Sequence, residues 1–411
     1  MKIGIETQRL VLLLVVTAPW LLPPIGGPSP SLVSWLFSLA CTAILIVLLF
    51  SKQWQGKASS VVPVAWLTAA LISSAMGLCQ YFGVSWQLVP WMTPPTAPGE
   101  AFANLRQRNH FSTLTNIGLA ALLYVATSGV REASRLMVRI GLLAAAVLLA
   151  TGNAASSSRT GLVQLLLLLG AGWFWSGRRH AEARMVLAAA LGAYAVSTLA
   201  LPALLGFSAS EHGLWGRMSP GNAGCGSRVT LWSNVLDLIS LRPWLGWGWG
   251  ELDYAHFMTL YAGPRFCEIL DNAHNLPLHL AVELGIPAAL LICGGALWLV
   301  LRAQPWREKD PGRQLAWSVL AVILLHSMLE YPLWFGPFQL ALGLCIWLLW
   351  PSRKKCPNMP VVPQEPPWWP RVLAVSLLVG AAYAAWDYHR VSQIFYPPDF
   401  RAPAYRDNTL E

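Results

Sequence analysis

A chain of 411 residues with 55% hydrophobic and 11% charged residues holds about half the charge of an ordinary soluble protein. One globular core cannot hide that much apolar surface, so the bilayer must be its solvent. The formal net charge is +9, but the Lys and Arg responsible recur in short loops between apolar segments, which is a topological signal and excludes a nucleic-acid footprint read from pI alone.

Apolar stretches of roughly 17 to 25 residues, the length that crosses a hydrocarbon core, fall at 9–23, 31–50, 61–82, 111–128, 137–151, 160–176, 185–206, 276–301, 314–331, 333–350 and 370–386. This pattern predicts an all-α polytopic membrane protein with about 11–12 transmembrane helices. In the first stretch, Lys2 and Arg9 precede a short apolar run that ends in Pro23-Pro24 without a small-residue cleavage site, which reads as a retained helix. Lys52 and Lys57, Arg131, Arg135 and Arg139, Arg178, Arg179 and Arg184, Arg302, Arg307, Lys309 and Arg313, and Arg353, Lys354 and Lys355 all fall on one side, which assigns that side and Met1 to the cytoplasm. The expected organisation is about seven helices in 1–206, a long periplasmic loop in 207–275, about four helices in 276–386 and a short periplasmic tail in 387–411. Tryptophans such as Trp20, Trp35, Trp54, Trp91, Trp173, Trp334, Trp350 and Trp368 cluster near span ends, where indole rings favour the headgroup layer, and on this reading need no binding role.

The remaining charges share the other, external face: Arg106, Arg108, His110, Arg159, Arg217, Arg228, Arg242, Arg265, His274 and Glu330. Solvation alone does not explain their position beside helix ends, whereas a polyanion at the membrane surface does. The stretch from Arg265 to Gly285 is the most telling, because a charged loop with Asp271 and His274 runs straight into an apolar segment. Ionisable groups held at a membrane helix mouth point to an enzyme with a lipid-borne substrate.

Within the long loop, a polar stretch from Ser219 to Ser227 precedes apolar residues at Val229, Trp232, Val235, Leu236 and Ile239, the period of an amphipathic helix on the membrane surface. Ser227 suits its N-cap, and Arg228 then stands in the first turn, the wrong end for a cation serving only the helix dipole. Gly246-Trp247-Gly248-Trp249-Gly250 predicts a tight turn or a close backbone approach, and no strand–Gly–helix pattern surrounds it. Of the seven cysteines, Cys225 and Cys267 are the two in the external loop and could form a disulfide. No Cys/His spacing resembles a zinc site and no Asp-rich motif suggests magnesium.

Arg228-Val229-Thr230-Leu231-Trp232, Arg242-Pro243-Trp244-Leu245-Gly246-Trp247-Gly248, and His274-Asn275 with Gly285 beyond resemble the Wzy-C-type superfamily of O-antigen ligases, O-antigen polymerases and protein O-oligosaccharyltransferases. Asn104 to Phe111, Ser158-Arg159-Thr160 and His326 to Trp334 also fit, the first and last being closest to the protein-glycosylating branch. Ala288 stands where the ligase pattern has Gly, Thr or Tyr. The resemblance implies a metal-independent, inverting glycosyltransferase of the C class, with no cofactor, in the bacterial inner membrane with its site facing the periplasm. Its donor would be an undecaprenyl-diphosphate-linked glycan. On this footing Arg228, Arg265 and Arg159, with Arg106 and Arg108, are expected to bind the diphosphate, since a guanidinium fork pairs two phosphate oxygens and stays ionised when desolvated. His274 is expected to act as general base or to orient the acceptor hydroxyl, with Asp271 holding the imidazole. Glu330, Asn275 and His110 are expected to support these groups. O-antigen ligation to lipid A-core leads as the expected reaction, because the chain stops about 25 residues past its last span, short of the C-terminal domain common in the protein-glycosylating branch. Protein O-oligosaccharyl transfer to Ser or Thr of an exported protein is the alternative, followed by polymerisation and, in another class, transport of a lipid-linked sugar.

Overall fold

A helix satisfies every backbone group within its own segment, and among the described residues this chain forms helices and no strand. A computed structural model of the protein describes residues 5–23, 29–50, 58–128, 135–176, 181–208, 213, 225–350 and 368–406. Its helices are α1 (Ile5–Leu21), α2 (Pro30–Leu49), α3 (Ala58–Tyr81), α4 (Arg108–Thr127), α5 (Arg135–Ala155), α6 (Arg159–Ser176), α7 (Ala181–Leu204), α8 (Arg228–Leu241), α9 (Leu252–Met258), α10 (Leu276–Leu284), α11 (Ile286–Ala303), α12 (Pro311–Ser327), α13 (Gly336–Leu349) and α14 (Trp369–Ser392). Every apolar stretch read from the sequence is helical. Among the described residues six helices are long and apolar enough to cross a membrane, namely α2, α3, α5, α7, α11 and α14. The protein is an all-α, multi-pass membrane protein. Lys52, Lys57, Arg131, Arg178, Arg179, Arg217, Arg353, Lys354, Lys355, Cys356 and Ser219 to Gly224 lie outside the described residues.

Helix α4 occupies the centre, packed against α3, α5, α6, α7 and α12. Its polar residues Ser112, Thr113, Thr115 and Asn116 are buried with Phe111, Leu114 and Ile117, which is why a helix of modest hydropathy can sit inside the bundle. Small residues permit the approach: a Cβ on Gly118 would lie 2.3 Å from the Ala70 Cβ. Helix α11 is the opposite case, with almost all of its apolar surface exposed, as expected of a helix whose solvent is lipid.

Three expectations are corrected. The predicted span 276–301 is two helices, because Gly285 adopts φ 87° between α10 and α11. The last helix runs to Ser392, beyond the expected end of its span, and short 3-10 turns follow it. Helix α8 does not lie free on the membrane: Leu231, Val235, Leu238 and Ile239 pack with Leu252, Phe266, Leu270 and Val282 into a second small core, leaving Val229 and Leu236 outward. The buried face shares Trp232, Val235 and Ile239 with the periodic stripe but turns inward through Leu231 and Leu238, which keep the same helical period.

Candidate active site

The connections α3–α4, α5–α6 and α12–α13, together with the segment that carries α8 to α10, meet at one end of the bundle, as alternation of antiparallel helices requires. Glu330, in the α12–α13 connection, is their meeting point. Its buried carboxylate accepts from Arg228 Nη2, from His274 Nδ1 at 2.7 Å and from Asn109 Nδ2 at 3.1 Å, and Gln107 Nε2 lies at 3.4 Å. Burial alone would raise this carboxyl, but the His274 hydrogen bond and the Arg228 charge outweigh it and hold Glu330 below the ordinary glutamate value. A depressed pKa contributes stability that is full above the ordinary glutamate range and is lost as pH falls through the lowered value. The Glu330 share of the acid unfolding limb should therefore set in as pH falls into the ordinary glutamate range, continue down to the lowered value, and be absent in Glu330→Gln, which melting curves across pH 3–6 would read.

Arg228 opens α8 behind Ser227, whose Oγ accepts from Thr230 N at 3.2 Å. The Arg228 guanidinium also donates to the Leu329 carbonyl. Two of its five N–H groups are thus held, and the half-exposed fork presents the others outward. His274 sits at φ 50°, with its N–H on Asn272 Oδ1 at 2.9 Å. With Nδ1–H donating to Glu330, the lone pair resides on Nε2, the arrangement of a carboxylate-oriented base. Asn275 caps α10, accepting from Leu278 N at 3.1 Å, and donates to the Met328 carbonyl at 3.1 Å, so it ties the His274 segment to the Glu330 loop.

Asp271 does not hold the imidazole. It is exposed and, among the described residues, makes no hydrogen bond to His274; Glu330 takes that role from 56 residues away. Asp271 acts instead on Tyr331, whose phenol is pushed up first by burial and then by Asp271 and Glu330, and whose ring meets the His274 ring edge-on at 5.0 Å.

Arg159 is exposed and opens α6 next to Ser158, whose Oγ donates to Asn109 Oδ1 at 2.6 Å, so it borders the same cluster. Arg108 opens α4 and pairs with Glu100. Burial would raise Glu100, yet the Thr96 hydrogen bond and the Arg108 charge bring it below its ordinary value. Arg106 is exposed in a left-handed turn and has no ion-pair or hydrogen-bond partner among the described residues. Cations on the first residue of α4, α6 and α8 oppose each helix dipole, a placement that an external anion would relieve.

Arg265 is not brought to Glu330. It donates to the His256 and Thr259 carbonyls at 2.7 and 2.8 Å, closing the C-terminal end of α9, where a cation is favoured. Arg265 also lines an open cavity of about 810 Å³ with Asp253, Phe257 and Glu268, to which neither His274 nor Glu330 contributes. His256 donates from Nε2 to the Phe266 carbonyl at 3.1 Å and accepts from the Tyr261 hydroxyl at 2.8 Å. Its pKa is lowered, first by burial and also by the Arg265 charge. Arg242 lies 4.1 Å over the Trp247 ring, which accounts for it without a ligand.

The Cys225–Cys267 disulfide joins the start of α8 to the segment leading to His274. With the cysteines 42 positions apart, the chain-entropy relation gives an upper stabilisation of about 4 kcal/mol. Reduction, or Cys225→Ser, should lower the melting temperature; an unchanged melting curve in reductant would refute the role.

Beneath Glu330 lies a polar ladder of which the sequence singles out His110 but not Thr113, Gln164 or the His326 contact. His110 is buried and stacks on Phe335 at 5.0 Å, beside His326. Thr113 Oγ bonds the Asn109 carbonyl at 2.7 Å and His326 Nδ1 at 2.9 Å, and Gln164 Nε2 reaches Thr113 at 2.9 Å and the Val322 carbonyl at 3.0 Å. This network ties α4, α6 and α12 together under the site. The available signal was a Thr, Asn, Gln or His in an otherwise apolar span, since a polar group there needs a partner.

Three family profiles match the segments that build this site. One described as "O-Antigen ligase" matches residues 144–293, one described as "Virulence factor membrane-bound polymerase, C-terminal" matches 314–411, and one described as "Protein glycosylation ligase" matches 101–125. These matches support the resemblance to the Wzy-C and protein O-oligosaccharyltransferase superfamily. The chain is 27% identical over 263 residues to a general O-oligosaccharyltransferase of Acinetobacter baylyi, a match over 60% of this chain and 43% of the relative. It is 25% identical over 252 residues to a ComP-specific O-oligosaccharyltransferase of the same organism, again over 60% of this chain and 43% of the relative. The chain thus spans under half the length of these two relatives.

Proposed function

We propose that the protein is an inverting glycosyltransferase that moves a glycan en bloc from a polyprenyl diphosphate, undecaprenyl diphosphate in a bacterial inner membrane, to an acceptor hydroxyl at the periplasmic face. The observation that carries this reading is the convergence of Arg228, His274 and Glu330 at one membrane-facing end. The acceptor oxygen attacks the anomeric carbon while its proton passes to His274 Nε2. The bond from the anomeric carbon to the diphosphate oxygen breaks, and the electron pair leaves on the diphosphate. Glu330 steadies the imidazolium, and Arg228 with the neighbouring Arg159 meets the developing charge. Guanidinium groups would thus supply the charge compensation, and transfer should persist in excess EDTA; a signal lost with chelator and restored by magnesium would overturn this part.

We favour a protein hydroxyl as acceptor over lipid A-core. Support comes from the two O-oligosaccharyltransferase relatives and from the protein-glycosylation profile over 101–125, the segment that supplies Gln107 and Asn109 to Glu330. The O-antigen ligase profile over 144–293, which includes Arg159, Arg228 and His274, keeps ligation as the second reading. Purified protein supplied with a polyprenyl-diphosphate glycan should glycosylate a pilin-like protein when rough lipopolysaccharide is offered beside it. Transfer to the lipopolysaccharide alone would make ligation correct, and elongation of the donor glycan would indicate polymerisation.

A further inference from the structure

Two tryptophans that come from distant parts of the chain stack on each other beside the His274 cluster. The Trp249 and Trp334 rings are nearly parallel, 11° apart, with centroids 6.1 Å from each other. Trp249 is 64% exposed and Trp334 39% exposed, so their outer faces are open. Neither ring is placed as a loosely held headgroup-layer indole. Trp249 rides on the glycine loop, which is fixed to α10 by Trp247 N to the Val282 carbonyl and Gly248 N to the Glu283 carbonyl, each at 2.9 Å. Trp334 ends the Pro332–Trp334 turn that directly follows Glu330 and Tyr331.

A buried polar pair lies against these rings. His279 meets Trp334 edge-on at 4.8 Å and Trp249 at 6.5 Å, and its Nε2 is 3.4 Å from Glu283 Oε2. Both residues are 2% exposed, and among the described residues His279 Nδ1 has no hydrogen-bond partner. The position relative to the chemistry follows from chain geometry. His279 lies five positions beyond His274, two of them extended and three helical, at most about 12 Å, and Trp334 lies four positions beyond Glu330, at most about 14 Å of chain.

We propose that Trp249 and Trp334 form a saccharide-stacking subsite that holds a pyranose ring of the donor glycan, with the buried His279 packed edge-on against Trp334 to fix the ring's position. The inference rests on the glycosyltransferase reading above and names the part of the site that grips sugar. A pyranose has an apolar face of C–H groups that carry partial positive charge, which fits the electron-rich face of an indole, and a rim of hydroxyls that needs polar partners. The separation from His274 suits a sugar at or next to the one whose anomeric carbon reacts.

The test compares two probes on the full-length protein in nanodiscs: undecaprenyl diphosphate carrying a synthetic disaccharide, and undecaprenyl diphosphate alone. Wild type should bind the first more tightly. Trp334→Ala and Trp249→Ala should each weaken it about tenfold, the size of one lost aromatic contact, and leave the bare lipid diphosphate unchanged. Trp334→Tyr should restore most of the loss, and in turnover KM for the glycan donor should rise with kcat little altered. Equal weakening for both probes would overturn the proposal in favour of a lipid-tail contact, and no weakening for either would reduce the pair to packing. If wild type binds neither probe, the polyprenyl-diphosphate reading itself fails and this inference fails with it; if wild type binds both and only the tryptophan effects are missing, the stacking subsite alone fails.

Discussion

Replacing His274 with alanine should lower glycan transfer by about 10²- to 10⁴-fold, the usual contribution of a positioned general base, in a protein that stays monodisperse with its melting transition intact. The reason to expect a chemical and not a structural loss is that the structural duties nearby belong to other residues. Asn275 caps α10 and bonds the Met328 carbonyl, and Asn272 receives the His274 N–H, a backbone contact that alanine keeps. The left-handed φ of 50° at His274 adds strain in the variant, which Asn, a residue that tolerates this region, would relieve. His274→Asn should therefore fold at least as well as His274→Ala and be equally inactive. Glu330→Gln should follow with a loss of about 10²-fold, since the amide keeps the shape but no longer holds Nδ1–H as a carboxylate or neutralises Arg228. Aggregated His274 variants, or transfer near wild-type level in Glu330→Gln, would overturn the assignment of this cluster as the reacting centre.

Gly285→Ala should cost more stability than a single added methyl group ordinarily does. Gly285 combines φ 87° with ψ 161°, a region close to glycine-only, whose strain costs about 1–3 kcal/mol. An added Cβ would also lie 2.2 Å from the Trp244 carbonyl oxygen and 2.8 Å from Leu245 N, so backbone must move. The displacement would pass to the Ile286 N to Pro243 carbonyl bond of 2.8 Å and to the glycine loop that sets Trp247 and Trp249. We expect a loss of at least about 3 kcal/mol, read as an earlier melting transition in detergent and faster proteolysis between α8 and α10. Gly294→Ala is the control: its Cβ meets nothing within 4 Å, so in the helix it should be neutral or stabilising by about 1 kcal/mol. Equal melting of the two variants would refute the argument.

The break at Gly285 also shows how far the sequence could be read. Hydropathy located a helix at each apolar stretch, because lipid leaves a backbone no other way to satisfy its hydrogen bonds. It runs 276–301 together because Leu276 to Val300 is apolar but for His279 and Glu283, and hydropathy carries no information about a positive φ at one glycine. The same blindness applies to α4, whose polar residues dilute its hydropathy yet are paired inside the bundle by Gln164 and His326.

For the site, residue chemistry singled out Arg228, His274, Asn275 and Glu330 individually, because charge beside a membrane helix is costly without a use. It paired His274 with Asp271 through closeness in the chain, and it ranked Arg265 with Arg228 because both are external arginines. Only the tertiary structure reassigned them. Glu330 reaches His274 across the gap between the α12–α13 connection and α10, whereas Arg265 closes the end of α9. The sequence by itself therefore determined the solvent, the helices and the inventory of charges, all of which depend on composition and local period. The folding of distant loops onto one end of the bundle decided which carboxylate orients the imidazole, which arginine faces outward and which tryptophans meet, since hydrogen bonds and ring contacts act over a few ångströms and are indifferent to separation along the chain.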